Sequence, residues 1–423
     1  MKRIGKLMAD IWIHNGTIIG GHGGEPIKNG VVHIRDNRIH AVGRAAEIGM
    51  PAGVQKIDAQ GGTILPGLID THVHIMFEYQ NPEVMAQQPF SLRFYNAVHY
   101  MRRTIDAGIT SVRDAGGADL GTKTAVERGL VVGPRMMIST APLGITGGHS
   151  DWWQPSGSGF NLFPTYPGMP EGLCDGVEDV RRAVRQVLRA GADVIKIMAT
   201  GGVLSPTDHP DFIGFSEEEL RVIVEEGEKR RGVKVMAHAQ GLEGIKLALR
   251  AGIHSIEHGI YLDDETCELM LEHGAFLVPT LIAPIWVLEM AQATGAVPEY
   301  GVRKARESIE AHTESISLAV KKGVKIAMGT DAGVIPHGQN LRELGLMVKC
   351  GMTPMQVLVA TTKTAAECMG WDDRLGTLEP GKLADVIVTR TDPLQNIESL
   401  ENTDNITVVI QDGKILKNHL DKN

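Results

Sequence analysis

One rhythm repeats along most of this chain: a short apolar run, a polar or glycine-rich bend, and then a segment with helical periodicity. The runs lack the polar alternation of a half-exposed strand, so each is predicted to be a parallel strand covered on both faces. They lie at residues 63–69, 109–113, 135–140, 193–199, 233–238, 255–258, 275–279 and 324–330. Eight such strands separated by helices predict an α/β fold, the (β/α)₈ TIM barrel.

Capping signals mark where two of the helices begin. Ser216 is followed three residues later by Glu219, and Thr353 by Gln356, which are the residue pairs of a capping box. Pro354 also takes the first helical position after Thr353. We therefore expect helices to start at these two points.

The two ends of the chain follow a different pattern. Short β-branched runs stand at residues 10–13, 31–34, 384–389 and 407–410, with turn dipeptides nearby. Because strands from both ends can complete one structure, we predict a small composite β-sandwich domain of residues 1–64 plus 376–423. The barrel domain is then residues 65–375.

The composition of the 423 residues narrows the choice of partners. A formal charge of −9 offers no basic surface for nucleic acid, and no apolar run is long enough to cross a membrane. Residues 1–15 lack the apolar stretch of a secretion signal, and the cysteines have neither disulfide nor metal-ligand spacing. We expect a cytoplasmic protein that acts on a small molecule, without nucleic acid or membrane as partner.

The first barrel run ends in a pair of histidines. His72 and His74 are two residues apart, so in a strand they project from one face, toward the mouth of the barrel. Two imidazoles there can share one cation. An isolated His-x-His motif is equally compatible with two ordinary loop histidines. Whether it belongs to a metal site therefore depends on the residues at the other strand ends.

Four further strand ends carry side chains that can bind a metal or be converted into ligands. They are Lys196 on the fourth strand, His238 on the fifth, His258 on the sixth and Asp331 on the eighth. Barrel enzymes gather catalytic residues at this rim, whereas incidental histidines such as His99 and His273 fall on helices. The coincidence across five strand ends predicts a metal-binding active site.

Lys196 needs a separate explanation because it lies in the apolar run 194–198. An unpaired ammonium there would be desolvated at severe cost, and an ammonium cannot bind a metal. A free amine that reacts with carbon dioxide becomes N6-carboxylysine, an anionic group whose two oxygens can bridge two cations. The alternative is a lysine paired with a nearby carboxylate.

With these residues the sequence resembles the amidohydrolase superfamily over nearly the whole chain, in the subgroup with two metals and a carboxylated lysine. The resemblance implies a first metal on His72, His74 and Asp331, a second on His238 and His258, and carboxylated Lys196 as the bridge. Imidazole and carboxylate ligands favour zinc, although manganese, cobalt and iron suit the same donors.

Such a metal centre implies hydrolysis. Two cations about 3.5–4 Å apart acidify a bridging water to hydroxide at neutral pH, and the hydroxide attacks a carbonyl polarised by the more exposed metal. Asp331 is placed to take the proton of the hydroxide and pass it to the leaving amine. We therefore predict that Asp331 is both a ligand and the acid–base residue.

Within the superfamily the chain looks most like the imidazolonepropionase-related group, which includes prolidase-like dipeptidases, an arginine carboxypeptidase and ochratoxin amidases. The motifs that carry this likeness are TGGH at 146–149, KIMATGGVLSP at 196–206, MAHAQG at 236–241 and GTDAG at 329–333. The likeness implies cleavage of the amide that joins an N-acyl or N-aminoacyl group to a C-terminal amino acid. Imidazolonepropionase itself fits less well, because that enzyme has one metal and no bridging lysine.

Two residues in these motifs are candidate substrate contacts. His149 is expected to hold the substrate near its carboxylate or carbonyl, or else to brace the glycine loop at 147–148. Gln240 stands two residues after the fifth-strand histidine, where prolidase-like members carry tyrosine. Its amide can donate a hydrogen bond to a carbonyl oxygen. This departure argues against assigning proline specificity.

The segment 151–170 concentrates aromatic side chains in a chain that has few. They are Trp152, Trp153, Phe160, Phe163 and Tyr166. We predict a substrate lid with an apolar pocket, and a subunit contact is the alternative. His337 and Arg342, after the eighth strand, can also reach the pocket.

Two other functions stay open on the residues alone. The same metal pair could hydrolyse a cyclic amide, a lactone or a phosphotriester, since one fold serves many chemistries. A non-catalytic barrel scaffold is the rival from another class, but it should have lost ligands, and all six positions here hold usable side chains. The resemblance also implies a homo-oligomer.

Overall fold

The computed structural model describes residues 10–153, 156–157 and 161–420. The strands are β1 Asp10–Ile18, β2 Ile27–Arg35, β3 Arg38–Arg44, β4 Gln55–Asp58, β5 Thr63–Pro66, β6 Leu68–Val73, β7 Ile109–Asp114, β8 Arg135–Ile138, β9 Ile195–Met198, β10 Val235–Ala239, β11 Ser255–His258, β12 Phe276–Val278, β13 Lys325–Ile326, β14 Val386–Thr389, β15 Ile406–Gln411 and β16 Lys414–Asn418.

Helices separate the central strands. They are α1 Pro82–Ala86, α2 Leu92–Asp106, α3 Leu120–Glu127, α4 Val177–Arg189, α5 Glu217–Glu228, α6 Leu242–Arg250, α7 Asp264–His273, α8 Ile282–Thr294, α9 Glu299–Lys322, α10 Arg342–Lys349, α11 Pro354–Ala360 and α12 Lys363–Cys368, followed by 3₁₀ helices at Ile397–Glu401 and Thr403–Asn405. The capping boxes predicted at Ser216 and Thr353 are confirmed at the starts of α5 and α11.

Both ends of the chain contribute to one mixed sheet. Its strands run in the order β16-β15-β14-β5-β1-β2-β3, and β4 pairs with β1. β14 is antiparallel to β5, with Val386 opposite Pro66, whereas β1 is parallel to β5. Joining of the two ends is as expected, but the two stacked sheets of a β-sandwich are not confirmed, because β5 links both ends into a single hydrogen-bonded sheet.

The run 63–69 is two strands in different sheets, so its prediction as one barrel strand was wrong. β5 belongs to the sheet of the chain ends, and β6 pairs with β7. The break falls at Gly67, whose N–H donates to the carbonyl of Asp385 at 2.8 Å. A Cβ at Gly67 would lie 2.2 Å from Oγ1 of Thr110, so a residue with a side chain would not fit this close approach.

The central strands form two parallel sheets. One holds β6, β7 and β8, and the other holds β9 to β13 in chain order. Single parallel bridges join the sheets at both sides, between Val73 and Ala332 and between Leu143 and Ile197. The fold is therefore mixed α/β with helices between parallel strands, but no continuous ladder closes a barrel among the described residues.

The helices pack on the outer faces of these strands. One buried cluster combines strand residues such as Ile195 and Leu277 with helix residues such as Val184 and Ile316. The four cysteines are buried as free thiols. Where the structure describes the chain, no helix has both the length and the apolar character required to span a bilayer.

Candidate active site

The carboxyl ends of the central strands surround a cavity. All the predicted site residues line it, namely His72, His74, His149, Lys196, His238, Gln240, His258 and Asp331. They come from separate strands and from the loops that follow them. Residues distant in sequence thus meet because parallel strands end on the same side of the fold.

Asp331 lies close to both His72 in β6 and His74 immediately after it. Its Oδ1 is 3.2 Å from Nε2 of His74 and 3.5 Å from Nε2 of His72. Two atoms that each bind one tetrahedral cation at about 2.1 Å are about 3.4 Å apart. Each of these two separations is therefore that of a pair of ligands that share one cation.

The other ring nitrogen of His72 and that of His74 each make a hydrogen bond within the protein. Nδ1 of His72 donates to Oε2 of Glu257 at 2.7 Å, and Nδ1 of His74 donates to the carbonyl of Gly116 at 2.8 Å. Such contacts fix the tautomer and leave the lone pair of Nε2 for a metal.

The histidines of β10 and β11 are each held through one ring nitrogen as well, but not through the same one. Nε2 of His238 donates to the carbonyl of Gly201 at 3.0 Å, which leaves Nδ1 as its free nitrogen. Nδ1 of His258 lies 2.7 Å from Oγ1 of Thr280, which leaves Nε2. The centroids of the His238 and His258 rings are 4.6 Å apart.

The electrostatics favour neutral imidazoles and an ionised carboxylate. Burial lowers the pKa of His72, His238 and His258 well below the usual histidine value. Burial tends to raise the pKa of Asp331, but the hydrogen bond to His74 and the electrostatic interactions with His72 and His74 outweigh it and bring the pKa to about 2. Neutral histidines and a carboxylate are the protonation states that bind metals.

Lys196 is buried among these donors. Burial lowers the pKa of its ammonium to about 8, although the charges of Glu257 and Asp331 oppose that change. Within the described part of the chain no carboxylate lies in ion-pair contact with it, so the alternative of a simple paired lysine is not seen. A lysine with a lowered pKa is more reactive than an ordinary lysine, because a larger fraction of it is present as the free amine at neutral pH.

Several side chains reach the cavity through unusual backbone conformations. φ is +73° at His258, +49° at Thr280 and +62° at Asp331. Non-glycine residues avoid this region, and a β-branched threonine is a clear outlier. Such strain is characteristic of functional sites, where surrounding structure holds a side chain in position.

Sequence reasoning missed the buried pair that supports His72. Glu257 accepts a hydrogen bond from Arg113 at 2.8 Å as well as from His72, and all three side chains are buried. Glu257 precedes His258 in β11, so strand alternation would point it away from the cavity. The positive φ at His258 breaks that alternation, and no sequence signal announced it.

His149 and Gln240 occupy another wall of the cavity. The ring of His149 stacks on that of His238 with centroids 4.2 Å apart, and its Nδ1 contacts Oγ of Ser205 at 2.7 Å. Oε1 of Gln240 is buried without a hydrogen-bond partner. A buried amide oxygen of this kind can accept a donor from a bound molecule.

The rest of the lining is mainly apolar. Trp152 and Phe163 of the aromatic segment line the cavity, whereas Trp153 is half exposed and Tyr166 packs against Phe90. Phe160 lies outside the described residues. The segment thus contributes to the wall of the pocket through some of its aromatic residues.

The two residues suggested after the eighth strand do not line this cavity. Nε2 of His337 contacts the carbonyls of His74 and Phe77 at 3.2 Å from behind the site. Arg342 forms an ion pair with Glu289 at 2.7 Å. Both side chains are engaged in structural contacts instead.

The donor set fits a divalent cation. Among the described residues, ligand atoms of His72, His258 and Asp331 all lie within 4.8 Å of one another, and this group could hold a metal ion. Such sites usually consist of imidazole and carboxylate donors. The ring nitrogen that does not face the metal is usually hydrogen-bonded to the protein.

Comparisons with known proteins identify the family of the chain. The model of the amidohydrolase family matches residues 63–416. The ochratoxinase of Aspergillus niger is 36% identical over 423 residues, covering 96% of this chain and 86% of that protein. Imidazolonepropionase of Geobacillus kaustophilus is 24% identical over 424 residues, covering 93% and 91%.

Solved structures show the same relationship. A Xaa-Pro dipeptidase with bound methionine in its active site has a TM-score of 0.88 and 35% identity, covering 97% of this chain and 100% of that one. The crystal structure of A. niger ochratoxinase has a TM-score of 0.87 and 34% identity, covering 98% and 97%. The chain belongs to the amidohydrolase family and is a hydrolase of amide or peptide bonds.

Proposed function

We propose that this chain hydrolyses the amide bond of N-acyl amino acids or dipeptides, with two divalent cations as its cofactors. One observation carries the proposal. Oδ1 of Asp331 lies 3.5 Å from Nε2 of His72 and 3.2 Å from Nε2 of His74, the separation of two ligands that share a cation, on the wall of a cavity lined mainly by apolar side chains. The names of the relatives support the same bond class, since one is a Xaa-Pro dipeptidase and another an ochratoxinase.

Six residues would hold the metals. His72, His74 and Asp331 would bind one ion, His238 and His258 the other, and Lys196 would bridge them as N6-carboxylysine formed with carbon dioxide or bicarbonate. Bound cations supply Lewis acidity toward the substrate carbonyl and a more acidic water at neutral pH. The imidazole donors favour zinc.

Asp331 would carry the proton through the reaction. Water adds to the carbonyl carbon and loses a proton to the carboxylate of Asp331, which then delivers it to the nitrogen as the C–N bond breaks. The products are a carboxylic acid and an amine. The carboxylate of Asp331 is ionised at neutral pH, so it can accept a proton at the start of each cycle.

The remaining walls would select the substrate. His149 and Gln240 would contact the polar groups of the C-terminal amino acid, and Gln240 has a buried oxygen without a partner. Trp152, Phe163 and Val287 are among the apolar residues that would enclose a side chain. Because Gln240 replaces the tyrosine of prolidase-like members, we propose substrates whose C-terminal residue is not proline.

The larger organisation is also a proposal. Residues 1–64 plus 376–423 would form one unit and 65–375 a barrel-type unit. The sheet that joins both chain ends supports this division, except that Leu65 and Pro66 complete β5 and so belong with the first unit. We further propose that the protein acts in the cytoplasm as a homo-oligomer.

A substrate panel tests the function. The native chain, loaded with zinc in the presence of bicarbonate, is offered N-acyl amino acids and dipeptides with aromatic, aliphatic and proline C-terminal residues. A cyclic amide, a lactone and a phosphotriester are offered in parallel. Asp331→Asn is compared with Asp372→Asn, a surface change at an exposed residue.

We expect hydrolysis of acyl amino acids or dipeptides, a loss of about 10²–10⁴-fold in kcat for Asp331→Asn, and native rates for Asp372→Asn. Turnover restricted to the cyclic amide, the lactone or the phosphotriester would contradict the proposed substrate class. Full activity of Asp331→Asn would contradict the role of that residue.

A further inference from the structure

His149 is connected to a series of buried hydrogen bonds that leads away from the cavity. Its Nδ1 is 2.7 Å from Oγ of Ser205 and 3.4 Å from Oδ2 of Asp208. Ser205 in turn makes a short hydrogen bond to Oδ1 of Asp208. Ser205 and Asp208 are both buried, so water does not compete for these contacts.

The carboxylate of Asp208 determines which atoms of this hydrogen-bonded series carry the protons. A carboxylate only accepts, so the Ser205 hydroxyl donates to Asp208 and its oxygen accepts from Nδ1–H of His149. Nδ1 is thus protonated whether the ring is neutral or charged. Nε2 is left as the nitrogen of His149 that can meet a bound molecule, and it has no protein partner among the described residues.

Asp208 is itself held by Lys304 of α9. Nζ of Lys304 is 3.3 Å from Oδ1 of Asp208 and donates to the carbonyls of Gly202, Ser205 and Asp208 at 2.7, 2.9 and 2.8 Å. Lys304 is buried with all these groups. A desolvated ammonium keeps its charge only with such partners, so the loop and the lysine stabilise each other.

Close packing against the same loop fixes the face of the ring. A Cβ at Gly202 would lie 2.2 Å from Cε1 and 2.7 Å from Nε2 of His149. His149 is therefore pressed between Gly202 and the ring of His238, on which it stacks at 4.2 Å with an interplanar angle of 18°. Both the tilt and the rotation of the imidazole are determined.

We propose that Asp208 and Lys304 are positioning residues, which act through Ser205 to hold His149 with Nε2 toward the substrate. This proposal rests on the proposed function for its kinetic consequence. The orientation of the His149 ring depends on the buried hydrogen bonds through Ser205 and Asp208, and it can be measured without a substrate.

The test combines kinetics with crystal structures of the metal-loaded enzyme. Asp208→Asn, Lys304→Met and the milder Ser205→Ala are made alone, and Asp208→Asn and Ser205→Ala are also made on a His149→Gln background. Lys322→Met is the control, since Lys322 lies on the same helix and pairs with the exposed carboxylate of Asp264.

We expect each single variant to raise KM for the best amide about ten-fold with a smaller change in kcat, and Lys322→Met to leave both unchanged. On the His149→Gln background, Asp208→Asn and Ser205→Ala should have little further effect on KM, because a residue that acts through His149 has nothing left to orient. Crystal structures of the single variants Asp208→Asn and Ser205→Ala should show the His149 ring rotated from its stack on His238.

Additive effects on KM in the double variants would overturn the proposal, as would an unmoved His149 ring in the Ser205→Ala crystal structure. If Asp208→Asn does not fold, Ser205→Ala decides alone, because it removes only a hydroxyl. If the native enzyme hydrolyses no amide, the proposed function fails, and the ring orientation in the variant crystals still decides the positioning role.

Discussion

The carboxylate of Glu257 accepts a hydrogen bond from Nδ1 of His72 at 2.7 Å, and both side chains are buried. The same carboxylate accepts from Arg113 at 2.8 Å. A histidine ligand held in this way keeps its ring orientation and gains basicity at Nε2. The contact therefore links a buried ion pair to the proposed metal site.

Glu257→Gln should weaken metal binding. An amide donates as well as accepts and leaves the Arg113 guanidinium without a charged partner, so we expect affinity for zinc to fall about 10–100-fold. Competition with a chromophoric chelator measures it. Glu289→Gln, which alters an ion pair with Arg342 outside the cavity, is the control. Unchanged zinc affinity in Glu257→Gln would show that this contact does not tune the site.

Gly333→Ala should displace His74. φ at Gly333 is +122°, and a Cβ there would lie 2.7 Å from Cβ of His74. We expect loss of metal and of activity. Gly274→Ala is matched, because Gly274 also has a positive φ of +62° but no atom within 4 Å of an added Cβ. Both variants should lose some stability. Equal metal content in the two would contradict the prediction.

Glu343 should make stability depend on pH in a specific direction. Burial raises its pKa to about 8, against backbone hydrogen bonds from Ile282 and Leu281. A raised folded-state pKa contributes stability below the unfolded value near 4.5, and the contribution is lost as pH rises through about 8.

Urea unfolding between pH 5 and 9 measures this effect. The free energy of unfolding of the native chain should fall with rising pH relative to Glu343→Gln, whose side chain does not ionise. Glu272→Gln, at an exposed position of α7, should follow the native curve. Parallel curves for native and Glu343→Gln would mean that Glu343 does not titrate in this range.

Gln240→Leu should weaken substrate binding. The buried Oε1 of Gln240 has no protein partner, so a bound substrate is expected to supply one. Loss of one such hydrogen bond corresponds to about 1 kcal/mol, or roughly a five-fold increase in KM. Steady-state kinetics on the best substrate of the panel measures it, with metal content as the control. An unaltered KM would assign Gln240 a structural role.

The sequence predicted the parts of the fold that depend on local pattern. The order of strands and helices follows from apolar runs and capping residues, as at Ser216 and Thr353. His72 and His74, at the end of β6, meet Asp331 because the carboxyl ends of parallel strands lie on one side of the fold.

The features that escaped prediction depend on tertiary contacts. The change of sheet at Gly67 arises from its close approach to Thr110, which lies in another strand. Glu257 lies opposite His238 in the ladder, and the next residue, His258, also reaches the cavity through a positive φ that no propensity indicates. Asp208 and Lys304 meet only after α9 packs on the loop at 202–208, so their spacing carried no signal.

Metal content tests the central claim most directly. Native protein and Lys196→Ala, each grown with bicarbonate and zinc, are compared by plasma emission. The bridged centre predicts about two zinc ions per native chain and a clear loss of metal in the variant. Little or no metal in the native protein, or full occupancy in Lys196→Ala, would contradict a lysine-bridged metal centre.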